Sequence, residues 1–355
     1  MSPSHPTKGR GALGQIEHRY TRRSYTTDDD GWYADGEPAA PPRTQVSAET
    51  ARSIISRNDS PDVPFEQSIN PYRGCEHGCV YCFARPTHAY LDLSPGLDFE
   101  TRLIAKTNAA ELLRGELARP GYRCRPIAFG TNTDPYQPIE REYRVTRQLL
   151  SLLADCRHPF SIVTKNALVE RDLDLIAPMA AARRAVVYLS VTTLDNRLAA
   201  RMEPRASAPH RRIEAIRRLH AAGVPVGVLV APIIPALNDA ELEHILEACR
   251  EAGASAARFI VLRLPHELKT LFRDWLAAHY PDRAAHVLSL IRQLRGGRDY
   301  DARFGSRMRG EGVFAALLQR RFAVAARRLG YGELPALDCS EFTPPRPPSP
   351  QGELF

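Results

Sequence analysis

Lysine is nearly missing from this chain of 355 residues. Of its 48 basic residues only four are lysine (Lys8, Lys106, Lys165 and Lys269), and the rest are arginine. So strong a bias reads as coding composition, which weakens any argument from an arginine alone. A lysine in a chemically interesting place counts for more, because it breaks the default. Long apolar runs are also absent. No window approaches the ~18 uninterrupted apolar residues of a membrane helix, and residues 1–41 hold no apolar stretch of the secretory kind. The expectation is a cytoplasmic protein with no membrane partner. A disulfide framework does not suit a chain of this length, nor an odd count of seven cysteines. Three of them, Cys75, Cys79 and Cys82, fall within eight residues, whereas Cys124, Cys156, Cys249 and Cys339 stand apart. The close group points to a metal site and the separate ones to core filling. What is present is ordinary globular composition with a net charge of +7, which mildly favours anionic partners such as nucleic acid.

Along the chain the texture changes three times. Residues 1–45 mix Gly, Pro, Ser and charge without apolar periodicity and are expected to be disordered. Residues 46–285 alternate short apolar runs with amphipathic stretches. Strands are predicted at 65–70, 127–129, 160–164, 186–190, 226–230 and 259–262. Helices are predicted near 106–118, 141–156, 170–182, 209–222, 239–252 and 267–279. Gly223 and Gly253 stand where helix-ending glycines belong. Alternation of this kind reads as parallel βα units, too few for a complete eight-stranded barrel. In such folds chemistry sits in the loops at the C-terminal strand ends. Residues 286–342 form a basic, mainly helical extension, and the proline-rich 343–355 a disordered tail.

The first strand runs into NPYRGCEHGCVYCFARPTHAY, where Cys75, Cys79 and Cys82 have the spacing CxxxCxxC. Gly74 and Gly78 argue for a loop rather than a helix. Three thiolates can ligate three irons of a 4Fe-4S cluster and leave the fourth without a protein ligand, as a catalytic site needs. The alternative is a structural zinc completed by His77 or His88, although the second cysteine pair usual in zinc sites is missing.

This constellation resembles the radical S-adenosylmethionine (SAM) superfamily, whose signature is CxxxCxxC with an aromatic residue before the last cysteine, here Tyr81. Residues 65–280 are covered. The string INPYRGCEHGCVYCFARP is similar to the spore photoproduct lyase-like branch. The resemblance implies a partial (β/α)6 barrel and two cofactors, a 4Fe-4S cluster and S-adenosyl-L-methionine. It also implies a shared opening step, reductive SAM cleavage to a 5′-deoxyadenosyl radical, with the cofactor carrying the chemistry and the protein the orientation.

The other strand ends then acquire expectations. GTNTDPYQPIER, after the second strand, stands where many members of the family carry a Gly-Gly-Glu motif for the methionine amino group. Asn132 and Asp134 are the candidates here, against the simpler reading of the segment as a turn. Lys165, ending the third strand, matches a lysine that contacts the cofactor in the lyase branch, where it would pair with the methionine carboxylate. Ser190, ending the fourth, resembles the serine that hydrogen-bonds cofactor ribose or carboxylate. Glu203-Pro204-Arg205 is either a positioning element or a helix-cap salt bridge. Pro232 and Pro235 close the fifth strand with an apolar wall, which in the family packs on adenine.

Between Arg292 and Arg328 ten arginines face three acids, interleaved with Tyr300 and Phe304. This composition suits nucleic-acid contacts or the wet face of an amphipathic helix. Cys339 is a candidate hydrogen donor for a substrate radical. The leading expectation is a lyase-like radical SAM enzyme acting on nucleic acid, with a reducing partner such as flavodoxin or ferredoxin. The alternatives are radical modification of a protein or small molecule, and a non-enzymatic Zn or Fe-S nucleic-acid-binding module.

Overall fold

The computed structural model describes residues 6–21 and 42–345. Ten strands occur among them: β1 (Gln45–Glu49), β2 (Ile55–Arg57), β3 (Gln67–Ile69), β4 (Tyr72–Arg73), β5 (Arg102–Lys106), β6 (Ile127–Phe129), β7 (Phe160–Thr164), β8 (Ala185–Ser190), β9 (Val226–Ile233) and β10 (Ala256–Val261). Six of these, β3 and β6 to β10, lie side by side and parallel in sequence order, and β2 pairs antiparallel on the outer edge of β3. This is the α/β partial barrel expected. A separate sheet, ordered β1-β5-β4, flanks it.

The six strands are short and apolar because both their faces are covered. Ile69, Ile127, Phe129, Phe160, Ile162, Val187 and Val228 are wholly buried. The helices that cover them carry the matching period. Leu242, Ile245, Leu246 and Cys249 lie on the buried side of the helix Leu242–Glu251, and Leu268, Leu271, Phe272, Trp275 and Leu276 do the same in Leu268–His279. At Gly227 a Cβ would lie 2.3 Å from the ring of Tyr188, so β8 and β9 pair as they do only because that side chain is missing.

All six barrel strands were legible in the sequence. β1, β2 and β4 were not, since they are short and partly exposed, nor was β5, whose alternating burial rests on Leu103 and Ala105 alone. The sixth strand lies three residues earlier at its start than the expected 259–262, because its first residues, Ala256 and Ala257, carry too little apolar bulk to be read as strand. The helix expected over 141–156 is divided at Arg144, whose φ of 50° interrupts it.

Of the segment expected to be disordered, residues 1–5 and 22–41 lie outside the described residues. Residues 6–21 lie along the cysteine loop, with Ala12 and Ile16 packed beside Cys79, Val80 and Tyr81. The N–H groups of Gly11 and Ala12 donate to Glu100 at 3.0 and 2.8 Å. In the tail, residues 346–355 lie outside the described residues, while the Thr343 N–H donates to the Cys156 carbonyl at 2.9 Å. Among the described residues no helix is long and apolar enough to cross a membrane.

Candidate cluster and cofactor site

The cysteine loop leaves the C-terminal end of β3, the first barrel strand. Gly74 and Gly78 turn it with φ of +72° and +67°. A Cβ on Gly78 would meet the Glu100 carboxylate at 2.6 Å, and one on Gly74 the Phe99 carbonyl at 2.9 Å. Only glycine fits either position.

Three buried side chains fix the loop. Arg85, without solvent exposure, donates to the carbonyls of Cys79 (2.8 Å), Gly78 (2.9 Å), Pro95 (3.1 Å) and Gly96 (2.8 Å). Its charge is met by Glu100 at 2.5 Å. Gln137 spans the other side, accepting from the Glu76 N–H at 2.8 Å and donating to the Gly74 carbonyl at 3.1 Å. The loop is thus held by its backbone, which leaves its thiols uncommitted.

Cys75, Cys79 and Cys82 are free thiols. Burial pushes the Cys75 thiol well up, and the Asp134 carboxylate and then the neighbouring sulfurs of Cys79 and Cys82 push it further. Burial also raises Cys79, against which the Lys165 ammonium and then Arg212 act in the opposite sense. Binding of iron would displace these protons. The two histidines that would complete a zinc site are committed elsewhere. His77 has Nδ1 3.4 Å from Asp134 and Nε2 3.2 Å from the Asn166 amide. His88 bonds the Arg102 carbonyl at 3.0 Å and packs edge-on to Phe99. Among the described residues no three His, Cys, Asp or Glu side chains converge on one metal-ion position. A cubane takes one thiolate at each of three corner irons, so its ligands need only be neighbours. The residues present fit that group.

The structure brings Asp134, Lys165 and Tyr81 to this loop. Asp134 is a turn residue beside the loop. Its carboxylate accepts from the Tyr136 N–H (2.9 Å), the Thr164 hydroxyl (2.7 Å) and the Lys165 N–H (2.8 Å). Burial alone would raise its pKa, but His77 and these donors outweigh it and hold the carboxyl at about 2. Lys165 Nζ lies 5.8 Å from the Tyr81 ring centroid and, among the described residues, has no ion-pair partner. The Tyr81 hydroxyl bonds Glu203, which also accepts from Thr192 at 2.6 Å and pairs with the buried Arg212. Glu203 is thus both the C-cap of the helix Asn196–Met202 and part of a buried salt-bridged network behind the loop. Arg205 takes a different partner, Glu76 of the loop, at 3.1 Å.

Two expected residues stand further back. Asn132 is half-buried, and its N–H donates to the Asn70 side chain at 2.9 Å. Ser190 is buried, and its hydroxyl donates to the Ala231 carbonyl at 3.2 Å. Cys339 is not at this end of the molecule. It lies beside Cys124 and Tyr122, below the start of β6, because residues 338–343 run back across the strand starts. It cannot reach a radical formed at the cysteine loop. Sequence reasoning missed Arg85, Glu100 and Gln137. The first stands inside the string that carried the resemblance, and the last in the quoted second-strand loop, but Glu100 gave no signal.

Part of the charge of the basic extension is neutralised, by acids within it and by acids elsewhere in the chain. Arg292 pairs with Asp299 (2.7 Å), Arg303 with Asp301 (2.8 Å), Arg321 with Glu243 (2.6 Å), Arg307 with Asp62 and Arg328 with Glu247. Counting arginines therefore overstated its free charge.

A parallel partial barrel that presents three free cysteines in the loop after its first strand defines a class of cluster-dependent radical enzymes. The chain belongs to one family of that class, the radical SAM superfamily, whose model matches residues 69–249. Its cofactors are accordingly a 4Fe-4S cluster and SAM. An uncharacterized protein of Mycobacterium bovis is 40% identical over 65% of this chain and 68% of its own. An uncharacterized protein of Methanocaldococcus jannaschii is 30% identical over 60% and 76%. Spore photoproduct lyase complexed with dinucleoside spore photoproduct shares the fold, with a TM-score of 0.54 at 16% identity over 81% of this chain and 80% of that one.

Proposed function

We propose that Cys75, Cys79 and Cys82 hold the 4Fe-4S cluster of an enzyme that performs radical chemistry on a nucleic-acid substrate, in the manner of a photoproduct lyase. The observation that carries the cluster assignment is the loop itself: three free thiols in one backbone-clamped turn at the C-terminal end of β3, with both nearby histidines engaged elsewhere. The nucleic-acid part rests on the shared fold with a lyase solved with its dinucleoside ligand. Fold alone does not fix a substrate.

When bound, the cluster and SAM supply the one-electron cleavage that yields a 5′-deoxyadenosyl radical. The chain's own residues bind and orient. Lys165, a cation with no carboxylate partner among the described residues, takes the methionine carboxylate. Asp134 acts at one remove, fixing the Lys165 backbone and the adjoining strand ends. The half-buried Asn132 offers its amide to the cofactor from the second strand end, and Ser190 offers a hydroxyl lone pair from the fourth. Tyr81, pinned by Glu203, keeps its ring between the cysteine loop and Lys165. A reducing partner of the flavodoxin or ferredoxin kind supplies the electron.

The test is anaerobic reconstitution with iron and sulfide, followed by reduction in the presence of SAM. A 4Fe-4S absorption band and released 5′-deoxyadenosine are expected. Stoichiometric zinc without iron would replace this reading by a binding module. Incubation with ultraviolet-irradiated DNA should then give repaired thymines, and failure there with intact SAM cleavage would move the substrate to a protein or small molecule.

A further inference from the structure

Most arginines at the barrel mouth have acceptors. Arg295 donates to the carbonyls of Ser306 and Leu262 at 2.8 and 2.6 Å, and Arg307 pairs with Asp62. Arg263 differs. It stands two residues beyond the end of β10, so it reaches the same end of the barrel as the cysteine loop. Its guanidinium lies 4.8 Å from the ring centroid of Phe83, the residue after Cys82. Among the described residues its Nη1 donates only to the Met308 sulfur, at 3.4 Å, and its buried Nε has no hydrogen-bond partner. The Tyr300 hydroxyl is within reach as one further acceptor, and the Asp62 carboxylate is nearby but engaged by Arg307 and by the Gly305 N–H at 2.7 Å.

A guanidinium carries five donors, and a thioether is a weak acceptor. A partly desolvated cation left this short of acceptors is costly in a resting protein, and an unsatisfied buried donor calls for a physical reason. An anion arriving from outside would supply one. Phe83 adds a second feature: the residue stays 43% exposed although Arg263 lies over its ring. Exposed rings beside a cation are what single-stranded nucleic acid uses, stacking a base on the ring and seating a phosphate on the charge.

We propose that Arg263 and Phe83 form a subsite for one phosphate–base unit of the substrate, the guanidinium taking the phosphate and the ring the base. This rests on the nucleic-acid reading above and deepens it. A unit held there lies one residue in sequence from a cluster ligand, so the subsite registers the neighbouring nucleotide against the reacting centre.

The experiment is fluorescence anisotropy of labelled single-stranded decathymidylate on the full, anaerobically reconstituted chain, at a series of salt concentrations, with thymidine 5′-monophosphate as competitor. Arg263→Gln should weaken binding roughly tenfold and lower the salt slope by about 0.7, the share of one phosphate on a single strand. Arg263→Lys should restore the slope but not the full affinity, since an ammonium lacks the planar face that stacks. Phe83→Leu should weaken binding roughly tenfold with the slope unchanged. Wild-type cluster absorbance and melting temperature in each variant separate these effects from misfolding. If wild type and Arg263→Gln bind the oligonucleotide alike with one slope, the subsite is overturned while the nucleic-acid reading stands. If the monophosphate binds in an Arg263-dependent manner and the oligonucleotide does not bind, the subsite stands and the polynucleotide reading falls. Binding of neither ligand to the wild type overturns the subsite.

Discussion

The Arg85 guanidinium meets the Glu100 carboxylate at 2.5 Å with both side chains wholly buried. Four backbone carbonyls of the cysteine loop and its surroundings surround the same cation, and two N–H groups of residues 11 and 12 reach the same anion. The pair therefore ties the N-terminal segment, the cysteine loop and the segment 95–100 into one unit. Glu100→Gln would leave the cation buried and unpaired, a change of the order of 3–5 kcal/mol. The expected outcome is a lowered midpoint in anaerobic denaturant unfolding, with faster proteolysis within residues 6–21. An unchanged midpoint would mean that the carbonyls alone satisfy Arg85.

The cysteines divide sharply by position. Cys79→Ala should abolish both the iron–sulfur absorption and 5′-deoxyadenosine release. Cys156→Ala and Cys249→Ala should retain both, because those thiols are buried among apolar side chains far from the loop. Iron content and product release, measured in the same preparations, decide the matter, and an active cluster in Cys79→Ala would remove the central assignment.

Lys165 carries a different kind of expectation. A charge-assisted pair with the cofactor carboxylate is worth about 1.5–3 kcal/mol, or roughly ten- to hundredfold in affinity. Lys165→Met should raise the dissociation constant of SAM by that factor with iron content unchanged. Lys165→Arg should recover little, the planar fork being unable to occupy an ammonium's place. Lys269→Met, on the helix Leu268–His279, is the control. Equal SAM affinity in both methionine variants and the parent would return Lys165 to a solvated strand end.

His158 gives the fold a pH dependence unconnected with the cluster. Phe342 and Tyr122 pack on its ring, with centroids at 5.1 and 5.8 Å, and burial lowers its pKa from 6.5 to about 4, the bond to the Pro159 carbonyl opposing only in part. The unfolded chain therefore binds a proton between those values that the folded chain does not. Stability is full above pH 6.5 and falls as pH drops toward 4, by up to about 3 kcal/mol. The loss of melting temperature between pH 7.5 and pH 5 should shrink in His158→Gln. A loss of the same size in both proteins would place the acid sensitivity elsewhere.

The barrel was legible because parallel strands and their covering helices announce themselves locally. A run such as FSIVT is apolar throughout, and LEHILEAC repeats every three to four residues. The cysteine spacing was legible because ligation of one small cluster constrains neighbours in sequence. Lys165 stood out only because lysine is so rare here. None of these required knowledge of distant contacts.

What holds the site was not legible, since it joins residues far apart in the chain. Glu100 serves Arg85 and residues 11 and 12, and Glu203 serves Tyr81, 122 residues away. A buried carboxylate has the same side chain as an exposed one, and its role is decided by which donors the fold brings to it. The same holds for charge. Ten arginines between 292 and 328 looked like an open cationic surface, yet acids as distant as Asp62 and Glu243 neutralise part of it. The sequence by itself determined the six barrel strands, the grouping of three cysteines in one loop, and the family. Tertiary structure alone decided which charges are spent within the protein and which, like Arg263, are left for a ligand, because pairing depends on proximity in space and the chain order does not record it.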